Sequence, residues 1–479
     1  MSFISINFIV LFISTFILFY TLNAKYRKYV LLLSSAVFIG FYHIGFLITA
    51  VFISLATYYF GQWVDASKRE KRRNCSFIVS IGILIGVWLA FRYANPLMEH
   101  FRALIGLTAS TETSHANSIL FPLGISFYTF QAMSYLTEIY WQEEKPEKDL
   151  SIFMVYMLFF MKFLSGPIER PGELLPQLRR PKPISYNSLV YGTELIVTGM
   201  IKKLVLADYL APYLDGIFGS IHSASGVQLL MACLLYPVEI YGDFSGYTDM
   251  ALGGARLFGL QLAPNFNRPF AALTTSDFWR RWHMSLSFWI RDYLYLPLSS
   301  ALRRHGQTGV FLSLFLTFVG LGVWHGAGWN YVAYGVIQGV VIFYEMKTST
   351  FRKKVKNWLG NPIFITLSII RTYLIFAVSL LFFRLDSLSS AIYYIKNISF
   401  QVNTSWKELN IGMSDHNCIV ASSALVLILI YEYLMSKHNL FDLLAKQPTW
   451  VRWGIYYLLA IVLFSVGQFS SDSFIYLQF

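Results

Sequence analysis

The stretch GLGVWHGAGWN, residues 320–330, sets one histidine among tryptophans and glycines inside an otherwise apolar run. A run of that kind belongs to a buried core or to a membrane, and the rest of the chain decides between them. Hydrophobic residues make up 56% of the 479 residues, charged residues only 13%, and the mean hydropathy is +0.51. Soluble domains average roughly 25% charged residues. The composition therefore predicts an all-α, polytopic membrane protein, not a soluble enzyme with a large core.

With about 20 apolar residues per span, the candidate spans are residues 3–22, 30–42, 46–64, 77–93, 119–141, 152–164, 191–210, 227–241, 309–323, 331–345, 363–383, 418–434 and 453–466. Together with shorter or charged segments they predict roughly eleven to fourteen helices. The run 3–22 has no basic residue before it and no small-x-small site after it, so it is expected to stay as the first span. Basic clusters at Lys25, Arg27 and Lys28, and at Lys68, Arg69, Lys71, Arg72 and Arg73, place their loops in the cytoplasm. That puts the N-terminus and the 94–118 loop outside.

A net charge of +12 would suit a nucleic acid partner in a soluble protein. Here the basic residues sit at helix ends, where orientation and anionic membrane lipid account for them, and no nucleic acid partner is expected. Cys75, Cys233 and Cys418 are scattered, so neither a disulfide framework nor a metal site is implied. One membrane domain, 1–479, is the simplest division, with N-terminal helices in 1–118, a motif-bearing core in 119–345 and further helices in 346–479.

Two stretches resist a simple helical reading. Residues 164–183, LSGPIERPGELLPQLRRPKP, carry Pro167, Pro171, Pro176, Pro181 and Pro183, too many for one regular helix; Arg179, Arg180 and Lys182 favour a cytoplasmic face. Residues 242–304 are charged and aromatic, too polar for lipid exposure. Broken backbone at membrane depth survives only beside protein or water, so this stretch is expected to be irregular and to wall an internal cavity.

Of the nine histidines, His100, His115, His222, His305, His416 and His438 fall in or beside polar loops, and His43 at a helix turn. His283 and His325 differ: each directly follows a tryptophan, Trp282 and Trp324, within or against an apolar segment. Ionisable groups there are costly and point to function, although a neutral imidazole bonded to a neighbouring helix fits the same spacing. Gly320, Gly322, Gly326 and Gly328 either let a ligand approach the His325 ring or let helices pack tightly. A neutral imidazole can take a proton from a hydroxyl as it attacks an acyl carbon, typically worth about 100- to 10,000-fold in rate.

No Walker loop, zinc-binding His-Glu-x-x-His helix or Gly-x-Ser-x-Gly elbow is present. The stretch DFSGYTD, residues 243–249, supplies Asp243, Ser245, Tyr247 and Asp249. On a regular helix the two aspartates point well apart, so a dyad requires a broken segment. Otherwise they form a buried polar network, with Arg256 or Arg268 as partners.

Several ordered motifs carry a resemblance: FPLGISFYTFQAMSY at 121, FLSGPIERP at 163, YGDFSGYTDMALG at 241, PNFNRPF at 264, DFWRRWHMSLSFWIRDYLYLPL at 277, GLGVWHGAGWNYVAYG at 320 and FIYLQF at 474. In these the chain resembles the membrane-bound O-acyltransferase superfamily, of the bacterial alginate O-acetyltransferase type. The resemblance implies a helical bundle around a tunnel, with a thioester donor, acetyl-coenzyme A, entering from the cytoplasm and no metal or tightly bound cofactor. It also implies the bacterial inner membrane and a separate extracytoplasmic partner that passes the acyl group to an exported polysaccharide.

It places the catalytic role on His325, with His283 as the second site histidine. Trp324, Trp282, Asp243, Tyr247 and Asn330 join them as candidate substrate-binding residues, with Arg280 and Arg281 for the donor's phosphates or as interfacial anchors. Trp282, Trp324 or a backbone N–H near Gly326 are candidate donors to the developing oxyanion. The alternatives are D-alanyl transfer to teichoic acid from a carrier protein, or a transporter with an intramembrane path through His283, His325, Asp243 and Asp249. A transporter predicts inverted repeats, which the segments do not show.

Overall fold

The computed structural model describes residues 1–104, 121–164, 166–400 and 405–469. Among these residues every regular element is a helix. Seven are long and apolar enough to cross a membrane: Ile44–Ala66, Glu70–Asn95, Gly226–Leu257, Arg303–His325, Asn361–Arg384, Asp415–Lys437 and Thr449–Val466. Large apolar side chains such as Phe52, Ile78, Leu367, Leu427 and Phe464 stand exposed on them, a liability in water but the natural solvated face in lipid. The expected first span is the shorter helix Ile6–Thr21. Residues 94–104, expected in an outside loop, instead continue the helix Glu70–Leu104; the rest of that loop, His115 and the FIYLQF ending lie outside the described residues.

The chain divides into two compact units: Met1–Gly192 with Gly254–Ala263, and Thr193–Gly253 with Pro264–Phe479. In the first, Phe8, Phe38 and Phe160 form an aromatic core, with ring centroids 5.9 to 6.2 Å apart. The proline-rich stretch resolves into a short helix, Pro171–Arg179. Pro171 opens it, where a missing N–H costs nothing, and Pro176 lies inside it. Arg179 donates to the buried Glu147 at 2.6 Å.

Residues 242–257 correct the expectation of a broken segment. They continue one long helix, Gly226–Leu257, past Pro237. Asp243 and Asp249 therefore point to different partners and form no dyad. Lys203 lies 2.6 Å from both Asp243 and Asp208, and Lys202 lies 2.9 Å from Asp249. The partners are thus these two lysines, where Arg256 or Arg268 was expected. Both lysines are buried and sit on the π-helical turn Lys202–Ala207. A lysine taken out of water requires such carboxylates, since an uncompensated buried charge costs several kcal/mol. Gly246 and Gly199 let the two backbones touch: a Cβ on Gly246 would stand 2.6 Å from the Gly199 carbonyl.

Beyond Pro264 the backbone does break, as its composition predicts. Short pieces follow one another: Thr275–Trp279, Met284–Ile290, the π-helical turn Arg291–Tyr295 and Leu296–Ala301. Glu345 anchors the first of them. Its carboxylate accepts from the Thr275 N–H at 2.8 Å and from Arg371 at 2.8 Å, satisfying a first-turn N–H that has no acceptor within the helix. A hairpin of two regular helices, Gly306–His325 and Trp329–Lys347, follows.

Candidate active site: two histidines on one cavity

The two Trp-His pairs reach the same place by different routes. His325 is the last residue of Gly306–His325, which stops because Gly326 turns to an extended backbone. Of the glycines around it, Gly322 and Gly326 serve packing. A Cβ on Gly322 would stand 2.3 Å from the Tyr331 carbonyl, and one on Gly326 would stand 2.1 Å from the Tyr331 ring. The His325 ring is half-buried and meets Phe383 edge-on at 5.0 Å, Tyr334 at 6.1 Å and Trp324 at 4.7 Å.

His283 opens the helix Met284–Ile290 in the left-handed region, φ +44 and ψ +54. A side-chain-bearing residue held there costs about 1–3 kcal/mol unless its surroundings fix it. Asn265 supplies the fixing contacts. Its backbone carbonyl accepts from the Met284 N–H at 2.9 Å. Its side-chain Oδ1 accepts from the Ser285 N–H at 3.1 Å and the Ser285 hydroxyl at 2.9 Å, and faces His283 Nδ1 at 3.2 Å.

That network settles the tautomer. A backbone N–H can only donate, so the Asn265 atom facing it is the oxygen, and His283 Nδ1 must carry the proton. The lone pair is left on Nε2. His283 lies between two spans, 226–257 and 303–325. Burial, and then the neighbouring His325, hold its pKa far below the ordinary imidazole value, at about 3. The ring is neutral.

Both histidines line a cavity of about 20 Å³, the space of roughly one water molecule. Its walls are mostly rings: Trp279, Trp282, Tyr334, Phe376 and Phe383. Trp282 lies against Phe278, Phe266 and Phe376 at 5.1 to 5.5 Å. The Trp279 N–H is committed to Gln338 at 3.0 Å, and Gln338 to Ser379 at 2.8 Å. Aromatic walls lower the local dielectric and strengthen any charge or dipole acting inside.

Of the expected site residues, His283, His325 and Trp282 line this cavity. Trp324 is buried beside His325. The helix Gly226–Leu257 reaches the site through Ile240, which lines the cavity, and Phe244, whose ring meets His283 edge-on at 4.8 Å. Asp243 and Tyr247 are buried on that helix but are not cavity residues. Arg280 is exposed, and Arg281 pairs with Asp277 at 3.0 Å.

Asn330 lies away from the cavity. Its amide donates to the Phe382 and Leu385 carbonyls at 3.1 and 2.8 Å, tying one helix start to another helix's end. The Gly326 N–H is likewise committed, to the Gly322 carbonyl at 3.2 Å. Sequence reasoning missed Asn265, Glu345 and Lys203. Asn265 stood inside the PNFNRPF motif, but nothing in that motif says which residue it holds. Among the described residues no cluster of three His, Cys, Asp or Glu is placed to hold a metal.

A multi-helix membrane protein with two histidines, His283 of them neutral, on one aromatic-walled cavity is the class these features define. The chain belongs to the membrane-bound O-acyltransferase family, whose model it matches over residues 149–383, and it is an acyltransferase. It is 32% identical to the "Probable alginate O-acetylase AlgI" of Pseudomonas putida over 72% of this chain and 70% of that one. It is 28% identical to the "Peptidoglycan O-acetyltransferase" of Helicobacter pylori over 96% of this chain and 92% of that protein. A "Teichoic acid D-alanyltransferase" of Streptococcus thermophilus is 32% identical over 47% of this chain and 56% of its own length.

Proposed function

We propose that the protein takes an acetyl group from a cytoplasmic thioester, acetyl-coenzyme A, and moves it across the membrane for O-acetylation of an exported polysaccharide. His325 is the catalytic residue in this reading. The carrying observation is the meeting of His325 and His283, distant in sequence, on one cavity. In the reaction the acceptor oxygen attacks the thioester carbonyl carbon while His325 takes the hydroxyl proton. The tetrahedral intermediate then collapses, the carbon–sulfur bond breaks, and the proton passes to the departing thiolate.

His283 plays the complementary part. Its Nδ1 proton is committed to Asn265, so the neutral ring has only an acceptor left and cannot donate to an oxyanion. It suits holding the acceptor hydroxyl or orienting the other imidazole. Trp282, on the cavity wall, is the indole N–H we assign to the developing oxyanion. The exposed Arg280 suits a donor phosphate better than Arg281, whose charge is already paired.

The reading includes an inner-membrane location, an extracytoplasmic N-terminus and a separate extracytoplasmic partner that completes transfer to the polymer. The relatives named for acetyl transfer cover 72% and 96% of this chain, and two named for D-alanyl transfer cover 47% and 61%, which favours acetyl as the group moved. The test is the acetyl content of cell-surface polysaccharide in cells carrying wild type, His325→Ala or His283→Ala at matched membrane expression. Acetylation is expected to vanish with His325→Ala. Undiminished acetylation in that variant would contradict the assignment.

A further inference from the structure

The first unit holds a second pocket, of about 280 Å³, whose chemistry differs from that of the histidine cavity. Lys25, Arg27, Lys28 and Arg179 line it, with Asp149 as the one carboxylate among the lining residues. Two of the four cations are already matched: Lys28 pairs with Asp149, and Arg179 with Glu147. The other two are not. Arg27 is held by rings, its guanidinium 5.1 Å from Phe19 and 5.3 Å from Tyr20, and donates only to the Lys182 carbonyl at 3.2 Å. Lys25 lies over Tyr26 at 4.8 Å. Neither meets a carboxylate among the described residues.

Beneath this basic rim the pocket is apolar, with Phe19, Leu31, Leu178 and Leu260 buried in its wall. A surface anchor for the membrane needs only exposed charge. Here the Arg27 guanidinium is fixed by two rings and a backbone carbonyl, and its planar fork suits bonding to phosphate oxygens. The volume lies just below the usual range of roughly 300–1,000 Å³ for whole-ligand pockets. It therefore suits a phosphoryl group and a few attached carbons.

We propose that this pocket is a phosphate-ester site, in which Lys25 and Arg27 take the phosphoryl oxygens and the apolar wall takes the adjoining carbons. Two sources share that chemistry: the headgroup of an anionic phospholipid and a phosphate of a soluble nucleotide thioester. The site does not depend on the roles of His283 and His325, so its test reads binding and not acyl transfer.

Purified full-length protein in a neutral detergent is titrated with short-chain phosphatidylglycerol and, separately, with coenzyme A. Bound ligand is counted by native mass spectrometry and the unfolding temperature is followed alongside. Saturable binding of either probe is expected, and the probe whose binding the Lys25 and Arg27 substitutions weaken names the source. Binding should weaken at least about tenfold in Lys25→Gln/Arg27→Gln, consistent with losing charge-assisted hydrogen bonds.

It should persist in Lys353→Gln/Lys354→Gln, which removes the same charge from the basic helix Ser349–Leu359. If the double variant fails to fold, Lys25→Gln alone decides, because that side chain is exposed. Absence of saturable binding by both probes would overturn the proposal. So would binding that changes less than twofold on removing these two charges.

Discussion

His325 and His283 reach one cavity, but opposite kinds of structure carry them there. His325 ends a regular helix whose position is set by packing: Gly322 and Gly326 admit Tyr331 to distances no Cβ would allow. His283 stands in a left-handed kink between short helices and is held by hydrogen bonds to Asn265. The difference assigns tasks. A packed helix end fixes where a ring sits while leaving its protonation open. A hydrogen-bonded kink fixes which nitrogen carries the proton.

The comparison breaks first where buried charge supports the hydrogen-bonded side. Lys203 holds Asp243, which neighbours Phe244, the ring packed against His283. Lys203→Met leaves Asp208 and Asp243 without their cation. It should cost about 3–5 kcal/mol, seen as a collapse of folded protein in detergent by fluorescence-detected size exclusion. Gly322→Ala tests the packed side. It should cost about 1–3 kcal/mol through overpacking, lower the unfolding temperature, and leave the pH profile of acyl transfer unchanged.

Asn265→Asp gives the smallest change in stability and the sharpest in chemistry. A carboxylate beside Nδ1 favours the imidazolium, so the folded pKa of His283 rises from its depressed value. Activity that needs the Nε2 lone pair is then lost as pH falls through that raised value. Between pH 8 and pH 6 the variant should lose about tenfold more activity than wild type. A merely structural role for Asn265 predicts a uniform loss at every pH.

Much of this was legible in the sequence for a physical reason. A lipid-facing helix needs a long apolar run, so hydropathy located the seven helices long enough to cross a membrane, whereas the expected span 152–164 breaks into two short helices. A Trp-His pair in apolar surroundings stands out because ionisable groups are rare there. The contacts of Asn265 and Glu345 were not legible, because side chains that hold an irregular backbone follow no period.

The DFSGYTD stretch misled for a related reason: its polar residues suggested a broken backbone. The helix continues because Lys202 and Lys203, inside an apolar run expected to span, neutralise Asp249 and Asp243. The glycines around His325 had two readings, and only the Tyr331 distances decide for packing.

The central claim is that His325 handles the proton of acyl transfer. Its most direct test is the transfer of labelled acetyl from acetyl-coenzyme A, the proposed donor, in membranes carrying the protein, comparing wild type with His325→Ala under conditions where both unfold at the same temperature. The account predicts a loss of at least about 100-fold in rate, with no recovery at any pH from 6 to 9. A His325→Ala protein that keeps its rate within threefold of wild type would contradict it.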